Sequence, residues 1–311
     1  MGWPFTDSSA YAISILAVAH IPMVSPTARE DALTGISSYF FRVIASNKQQ
    51  AFMGVQYAER TLHAKRVALF VDPADSYSNE IGTDFEQQFA ASGNNIVFRE
   101  DYTAGQPQVL SQLLQDALNH NPDMIYFAGS ANDAGTLLAD LPTSGPFAHL
   151  QILGPDHLDG NYPRKASVNF GRIHFTDFIN DNTWDSLNLA NQKPAFFTDF
   201  QQDFDPLKLH TSMPYGYIRA DGDTLLSYDA MLSLLSGSKL ALAGGKKSFP
   251  SSNLQQALAI LTGSQAIQGV SGQISFGRDG NPINKAFLIL KINPEGFFQL
   301  ESVLGSFLVG T

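Results

Sequence analysis

The sequence predicts an α/β protein with mainly parallel sheets and more than one domain, on three observations. From residue 64 onward, short runs rich in Val, Ile and Phe alternate with amphipathic helical stretches, the order that builds a parallel sheet. At 311 residues the chain can bury a sizeable core and favours two domains over one. Its composition, 44% hydrophobic and 15% charged with 25 Gly and 16 Pro, is that of an ordinary globular protein.

The first unit of the pattern is a buried strand, Arg66–Val71, followed by a loop at 72–78 and a helix at 79–92. That helix carries Ile81, Phe85 and Phe89 on one side and stops at Gly93. A strand at 95–98 and a helix at 108–120 follow, the helix placing Val109, Leu110, Leu113, Leu114 and Ala117 on one face. The turn Asn121-Pro122-Asp123 enters a strand, Met124–Phe127, and residues 129–133 lead to a helix with Leu137 and Leu138. Strands at 151–154 and 173–175 complete a sheet of about five strands, a normal size for one lobe.

Residues 176–224 are weakly periodic and rich in Asp, Asn, Phe and Pro, which predicts loops with short helices. A helix at 225–243 has Leu226, Met231, Leu234 and Leu235 spaced for burial and ends at Gly244-Gly245; another follows at 253–261. The turn at 278–282 joins a closing strand pair at 286–292 and 297–302. Before residue 64 only 22–24 and 40–43 read as strands, yet the helices at 8–20 and 225–243 both need a sheet to cover. The expectation is a first lobe short of strands.

The apolar run at 11–19 lacks the basic flank of a signal peptide, since Asp7 is the only charge before it, and it is far shorter than the roughly 20 residues of a membrane span. It is expected to be a buried helix, so no signal peptide is read in this chain. A net charge of −10 and a pI near 5.0 argue against a nucleic-acid partner. The absence of cysteine excludes disulfides, thiolate zinc sites and cysteine nucleophiles. No P-loop, GxGxxG or GxSxG occurs, and the seven histidines have no metal-ligand spacing. Asp221-Gly222-Asp223 and Asp279-Gly280-Asn281 lack the remaining ligands of a calcium loop and read as turns. An enzyme is therefore not expected, and no cofactor or metal is assigned.

Several stretches stand in a telling order: Gly2-Trp3-Pro4-Phe5-Thr6-Asp7-Ser8-Ser9, Ile21 to Ala28 with its Pro22 and Ser25-Pro26, Phe41-Arg42 followed by Gln49, Tyr77, Gly154-Pro155-Asp156, and Tyr228-Asp229-Ala230. Together they resemble the branched-chain amino-acid receptor family of type I periplasmic binding proteins. The resemblance implies a two-lobed clamp, each lobe a mainly parallel sheet flanked by helices, with lobe 1 at 1–47 and 178–278 and lobe 2 at 48–177 and 279–311. In that family the Gly2 loop follows about three strand and helix units, so the first lobe is expected to be incomplete, with strands from a partner chain or self-association through that lobe as one consequence. Also implied are an extracytoplasmic location, an ABC permease as partner, an amino acid or similar small solute as ligand, and hinges near 47, 178 and 280. A sensory receptor's ligand-binding domain and a truncated, non-binding fragment are the alternatives.

A free amino acid presents a carboxylate, an ammonium and a side chain. Thr6 and Ser8 lie at the start of a helix, where backbone N–H groups attract anions, although a plain N-cap has the same look. Thr27 is carried over from the family's strand and loop. Asp156 follows a strand at the carboxyl edge of the sheet and could meet an ammonium, against the bland reading of a solvated turn acid. Tyr77 could close over the ligand, and Ser130 ends a strand toward the same cleft. Trp3 and Phe5 are candidate wall residues, for which core burial is the commoner role. Arg29, where the family has a small hydroxyl residue, would bring an anion binder if it points inward; Glu30 and Asp31 beside it favour an outward surface charge. His157, beside Asp156, reads as a wall residue. No covalent chemistry is expected; ligand shifts an equilibrium between open and closed forms.

Overall fold

The computed structural model describes residues 1–2, 5–160, 162, 164–180, 182–204, 207 and 222–310. Along the chain run α1 (Thr6–Leu16), β1 (Met23–Ser25), β2 (Phe40–Arg42), α2 (Asn47–Arg60), β3 (Arg66–Val71), α3 (Ser76–Ala91), β4 (Asn95–Asp101), α4 (Pro107–Leu118), β5 (Met124–Phe127) and α5 (Ala131–Asp140). They are followed by β6 (Gln151–Gly154), β7 (Ile173–Asp177), α6 (Thr183–Ser186), α7 (Phe196–Phe204), α8 (Gly222–Ala241), α9 (Ser251–Ala259), β8 (Ile267–Gly269), β9 (Gly272–Ile274), β10 (Phe287–Ile292) and β11 (Phe298–Leu304). Two compact units contain them. Unit 1 comprises Met1–Ser46, Phe178–Ala286 and Gly305–Thr311, and unit 2 comprises Asn47–Asp177 and Phe287–Leu304. Among the described residues no helix is long and apolar enough to cross a membrane.

In unit 2 a period of two decides which way each strand faces. Val67, Leu69 and Val71 of β3 join one core with Met124 and Tyr126 of β5, while Ala68, Phe70, Ile125 and Phe127 join the core on the opposite face. Helices α2 and α3 cover the first face through Ala51, Val55, Ile81, Phe85 and Phe89; α4 and α5 cover the second through Leu110, Leu114, Leu137 and Leu138. A sheet buried on both faces by crossover helices is the parallel arrangement the sequence predicts. It has seven strands in the order β11-β10-β7-β6-β5-β3-β4, because the closing pair β10–β11 adds antiparallel strands to the five expected. Val109, placed on the buried face of α4 by the sequence reading, is exposed.

Unit 1 contains a two-stranded parallel sheet, β1–β2, and a short hairpin, β8–β9. Here two expectations fail. The run at 11–19 is not a buried helix: α1 buries Ser9, Ala12 and Ile13, but Tyr11, Ile15 and Val18 are 74%, 57% and 81% exposed. On α8 the buried stripe is Leu225, Leu226, Asp229, Ala230, Ser233 and Gly237, whereas Met231 and Leu235 are exposed and Leu234 is half-buried.

The final segments also divide differently from the expectation, since 279–286 and 305–311 lie in unit 1. The Asp279-Gly280-Asn281 turn backs onto β2, where Arg42 N–H donates to the Gly280 carbonyl at 3.1 Å. Gly280 has φ +78°, and a Cβ there would collide with the Phe40 carbonyl, so only glycine fits. Phe307 meets Trp184 edge-on at 5.0 Å.

Candidate functional site

The carboxyl ends of β3 and β6 lie on one edge of the unit 2 sheet, the edge where open α/β sheets bind ligands. After β3, Asp72 accepts from Ala74 N–H at 3.0 Å and Asp75 caps α3 by accepting from Tyr77 N–H at 3.0 Å. These turns fix Tyr77 in the first turn of α3. After β6, the chain passes so near β5 that a Cβ on Gly154 would lie 2.5 Å from the Phe127 carbonyl. Glycine there lets Pro155 and Asp156 follow directly on the strand end.

Tyr77 OH donates a short hydrogen bond to Asp156 Oδ1. Gln50, in the first turn of α2, donates from Nε2 to the same oxygen at 3.0 Å and to Thr176 Oγ1 at 3.0 Å, and its Oε1 lies 3.1 Å from the Tyr77 hydroxyl oxygen. His157 lies against Tyr77 with ring centroids 4.1 Å apart, and its Nδ1 is 3.7 Å from Asp75 Oδ2. Beneath the group, burial, followed by the charges of Asp156 and Asp84, pushes the Tyr126 phenol up, so it stays neutral. The result is a half-buried carboxylate oriented by a phenol and an amide and flanked by an imidazole. It suits the charge-assisted binding of a cationic group.

Gln50 escaped the sequence reading, which named Gln49. Gln49 is exposed, whereas Gln50 is 1% exposed. The two differ by one residue, about 100° around the helix, and only the seating of α2 on the sheet selects between them. A Gln50→Leu variant leaves Thr176 and Asp156 each short of a donor, and about 1–3 kcal/mol of stability is expected to be lost, read from urea unfolding.

Ser130 is exposed and caps α5, accepting from Asp133 N–H at 3.4 Å. In unit 1, Phe5 is 75% exposed at the N-cap of α1 with no side-chain cap bond, and Thr6 is half-buried. Ser8 Oγ donates to the Phe5 carbonyl at 3.0 Å, within its own turn. Thr27 is buried beyond β1, where Ser25 Oγ accepts from Ala28 N–H at 3.2 Å, and Arg29 is half-buried. Trp3 lies outside the described residues. Among the described residues no group of three or more His, Cys, Asp or Glu side chains could hold a metal ion.

A family model described as periplasmic binding protein matches residues 1–296. The chain belongs to the periplasmic binding protein family. Solved structures share its fold, that of the two-lobed type I periplasmic binding proteins. The leucine-binding protein LivK of Thermotoga maritima is 20% identical, with a TM-score of 0.71 over 97% of this chain and 78% of that one. LivJ of Streptococcus pneumoniae, in complex with isoleucine, is 21% identical, with a TM-score of 0.69 over 98% and 78%. A solute-binding protein of R. palustris in complex with 4-hydroxybenzoate is 16% identical, with a TM-score of 0.67 over 98% and 78%. No curated protein matches the chain. The family and these neighbours are solute-binding proteins, not enzymes.

Proposed function

We propose that this periplasmic binding protein is the extracytoplasmic receptor of an ABC importer and takes an amino acid or a similar small solute bearing an ammonium group. The observation that carries the reading is the Asp156 carboxylate, held at the sheet edge by Tyr77 and Gln50. A carboxylate oriented at the sheet edge by a phenol and an amide suits charge-assisted binding of a ligand that brings a positive charge. In unit 1 the proposed contacts are Thr6, Ser8 and Thr27, with uncapped backbone N–H groups at the start of α1 for the ligand carboxylate.

Calorimetry and thermal shift against the standard amino acids and a set of aromatic acids test the proposal. An amino acid is expected to stabilise the protein by about 2.7 kcal/mol at a hundred times its Kd. Asp156→Ala is expected to weaken that binding by at least about tenfold, since it removes the partner of a charged group. If only acids without an ammonium bind, and bind Asp156→Ala equally well, the proposal fails.

A further inference from the structure

A second cluster of titratable groups lies in unit 2, away from Asp156, beside a one-residue irregularity in an edge strand. In the β10–β11 ladder Ile289 pairs with Ser302 and Leu290 with Leu300, so Glu301 is an extra residue opposite a single step of β10. Core contacts confirm the slip, since Phe298 and Leu300 pack on one face of the sheet and the next residue to do so is Val303, three positions on. Alternation with Leu300 places Glu301 on the opposite face, that of Lys291, where α2 contributes Tyr57 and β7 contributes His174.

Tyr57 and His174 are nearly fully buried, at 2% and 5% exposure. Tyr57 OH donates to Glu301 Oε2 at 2.5 Å, His174 Nδ1 is 2.7 Å from the same oxygen, and Tyr57 OH is 3.1 Å from Nδ1. On the far side of the ring, Nε2 is 3.0 Å from Gln151 Oε1. The orientation of that amide is set, because Gln151 Nε2 donates to the His149 carbonyl at 2.9 Å, leaving Oε1 as the atom that faces the imidazole. Both ring nitrogens therefore face acceptors. A neutral imidazole has one N–H and an imidazolium has two, so this arrangement is satisfied by the charged ring.

The remaining groups agree. The hydrogen bond from His174 is the largest cause holding the Glu301 carboxyl down at about 2, with Tyr57 and Lys291 adding to it against the effect of burial. Lys291, the ladder partner of His174, is 3.7 Å from Glu301 Oε1. The titratable and charged groups placed on the ring and its carboxylate, among the described residues, are thus Tyr57 from α2, Lys291 from β10 and Glu301 from β11.

The position of the cluster gives it a consequence. The chain passes between units 1 and 2 at 46/47, 177/178, 286/287 and 304/305. Helix α2 begins at the first passage, β7 ends at the second and β11 ends at the last. We infer that Tyr57, His174 and Glu301 form a proton-sensitive clasp that fastens the edge strand β11 to α2 and β7, and that loss of the ring proton loosens β11 and the chain's exit from unit 2. With a neutral ring the single N–H stays on Nδ1 toward the carboxylate, Nε2 faces Gln151 Oε1 with no proton between them, and the bond to Glu301 loses the positive charge of its donor. This property is independent of which solute the protein takes.

Hydrogen exchange of the backbone amides, corrected for intrinsic rates, is compared at about pH 5.5 and about pH 8.5. In the unmodified protein the protection of 298–304 is expected to fall by about tenfold at the higher pH, the scale of losing the charge on one hydrogen-bond donor, while β3 amides keep theirs. In Glu301→Gln, and in His174→Gln if it folds, the step is expected to vanish. Equal protection of β11 at both pH values in the unmodified protein overturns the inference, as does a step that persists in Glu301→Gln.

Discussion

Asp229→Ala is expected to lower the unfolding free energy by about 3–5 kcal/mol, the range for breaking a buried ion pair from one side. Asp229 is fully buried in α8, and its carboxylate accepts from Val270 N–H at 2.7 Å, from Ser271 N–H at 2.9 Å and from Ser271 Oγ. Lys285, 3% exposed, donates to that same hydroxyl and to the Ser271 carbonyl at 3.0 Å. Burial raises the Asp229 carboxyl and lowers the Lys285 ammonium to about 8, with each partly restored by the other's charge. Alanine would leave the ammonium buried without its counter-charge and two backbone N–H groups without acceptors. Because the penalty is mostly that of the abandoned partner, Asp229→Leu with Lys285→Met is expected to lose less than either single change. Urea unfolding of the four proteins decides this. The pH dependence has a definite sign as well. Between about 8 and the ordinary value of 10.5, the folded lysine has released a proton that the unfolded chain still holds, so stability rises with pH there. Lys285→Met is expected to lose that rise.

Arg42→Ala is expected to cost at least about 3 kcal/mol, from stranded acceptors together with lost packing volume. Arg42 ends β2 at 0% exposure, and its guanidinium donates to Asn281 Oδ1 at 2.7 Å, to the Glu30 and Ala28 carbonyls at 2.9 and 3.3 Å, and to Thr34 Oγ1 at 2.8 Å. It gathers the loop after β1 and the 279–281 turn onto one planar fork. Lysine, a point charge on a flexible stem, is expected to recover less than half of the loss. A lower urea midpoint at unchanged slope would show that the effect is on stability and not on the compactness of the unfolded chain. Both predictions fall in unit 1, where these buried polar hubs tie loops and helices together.

Much of unit 2 was legible from residue order. A strand such as Arg66–Val71 is an unbroken apolar run, and a helix such as α3 repeats Ile81, Phe85 and Phe89 at intervals of four, patterns that depend only on local geometry. The candidate site was legible in part. Tyr77 and Asp156 were named through the family resemblance, Asp156 also from its place after a strand, and they meet in one hydrogen bond. Gln50, which joins them, was not named, because a glutamine beside another glutamine has no periodic signature.

The amino-acid order thus settled most strands and helices after residue 64, though not α2 before it, and it did so through side-chain spacing, a property of each segment alone. Tertiary structure decided the rest. Whether Tyr11, Ile15, Met231 and Leu235 are covered depends on how much sheet lies beneath their helices, and spacing does not record that. Which glutamine reaches Asp156 depends on the rotation of α2 about its axis. That Glu301 meets His174 and Tyr57 depends on the pairing of β10 with β7 and β11 and on the seating of α2. Each of these is a relation between elements distant in sequence, set by packing and hydrogen bonding only once the chain has folded.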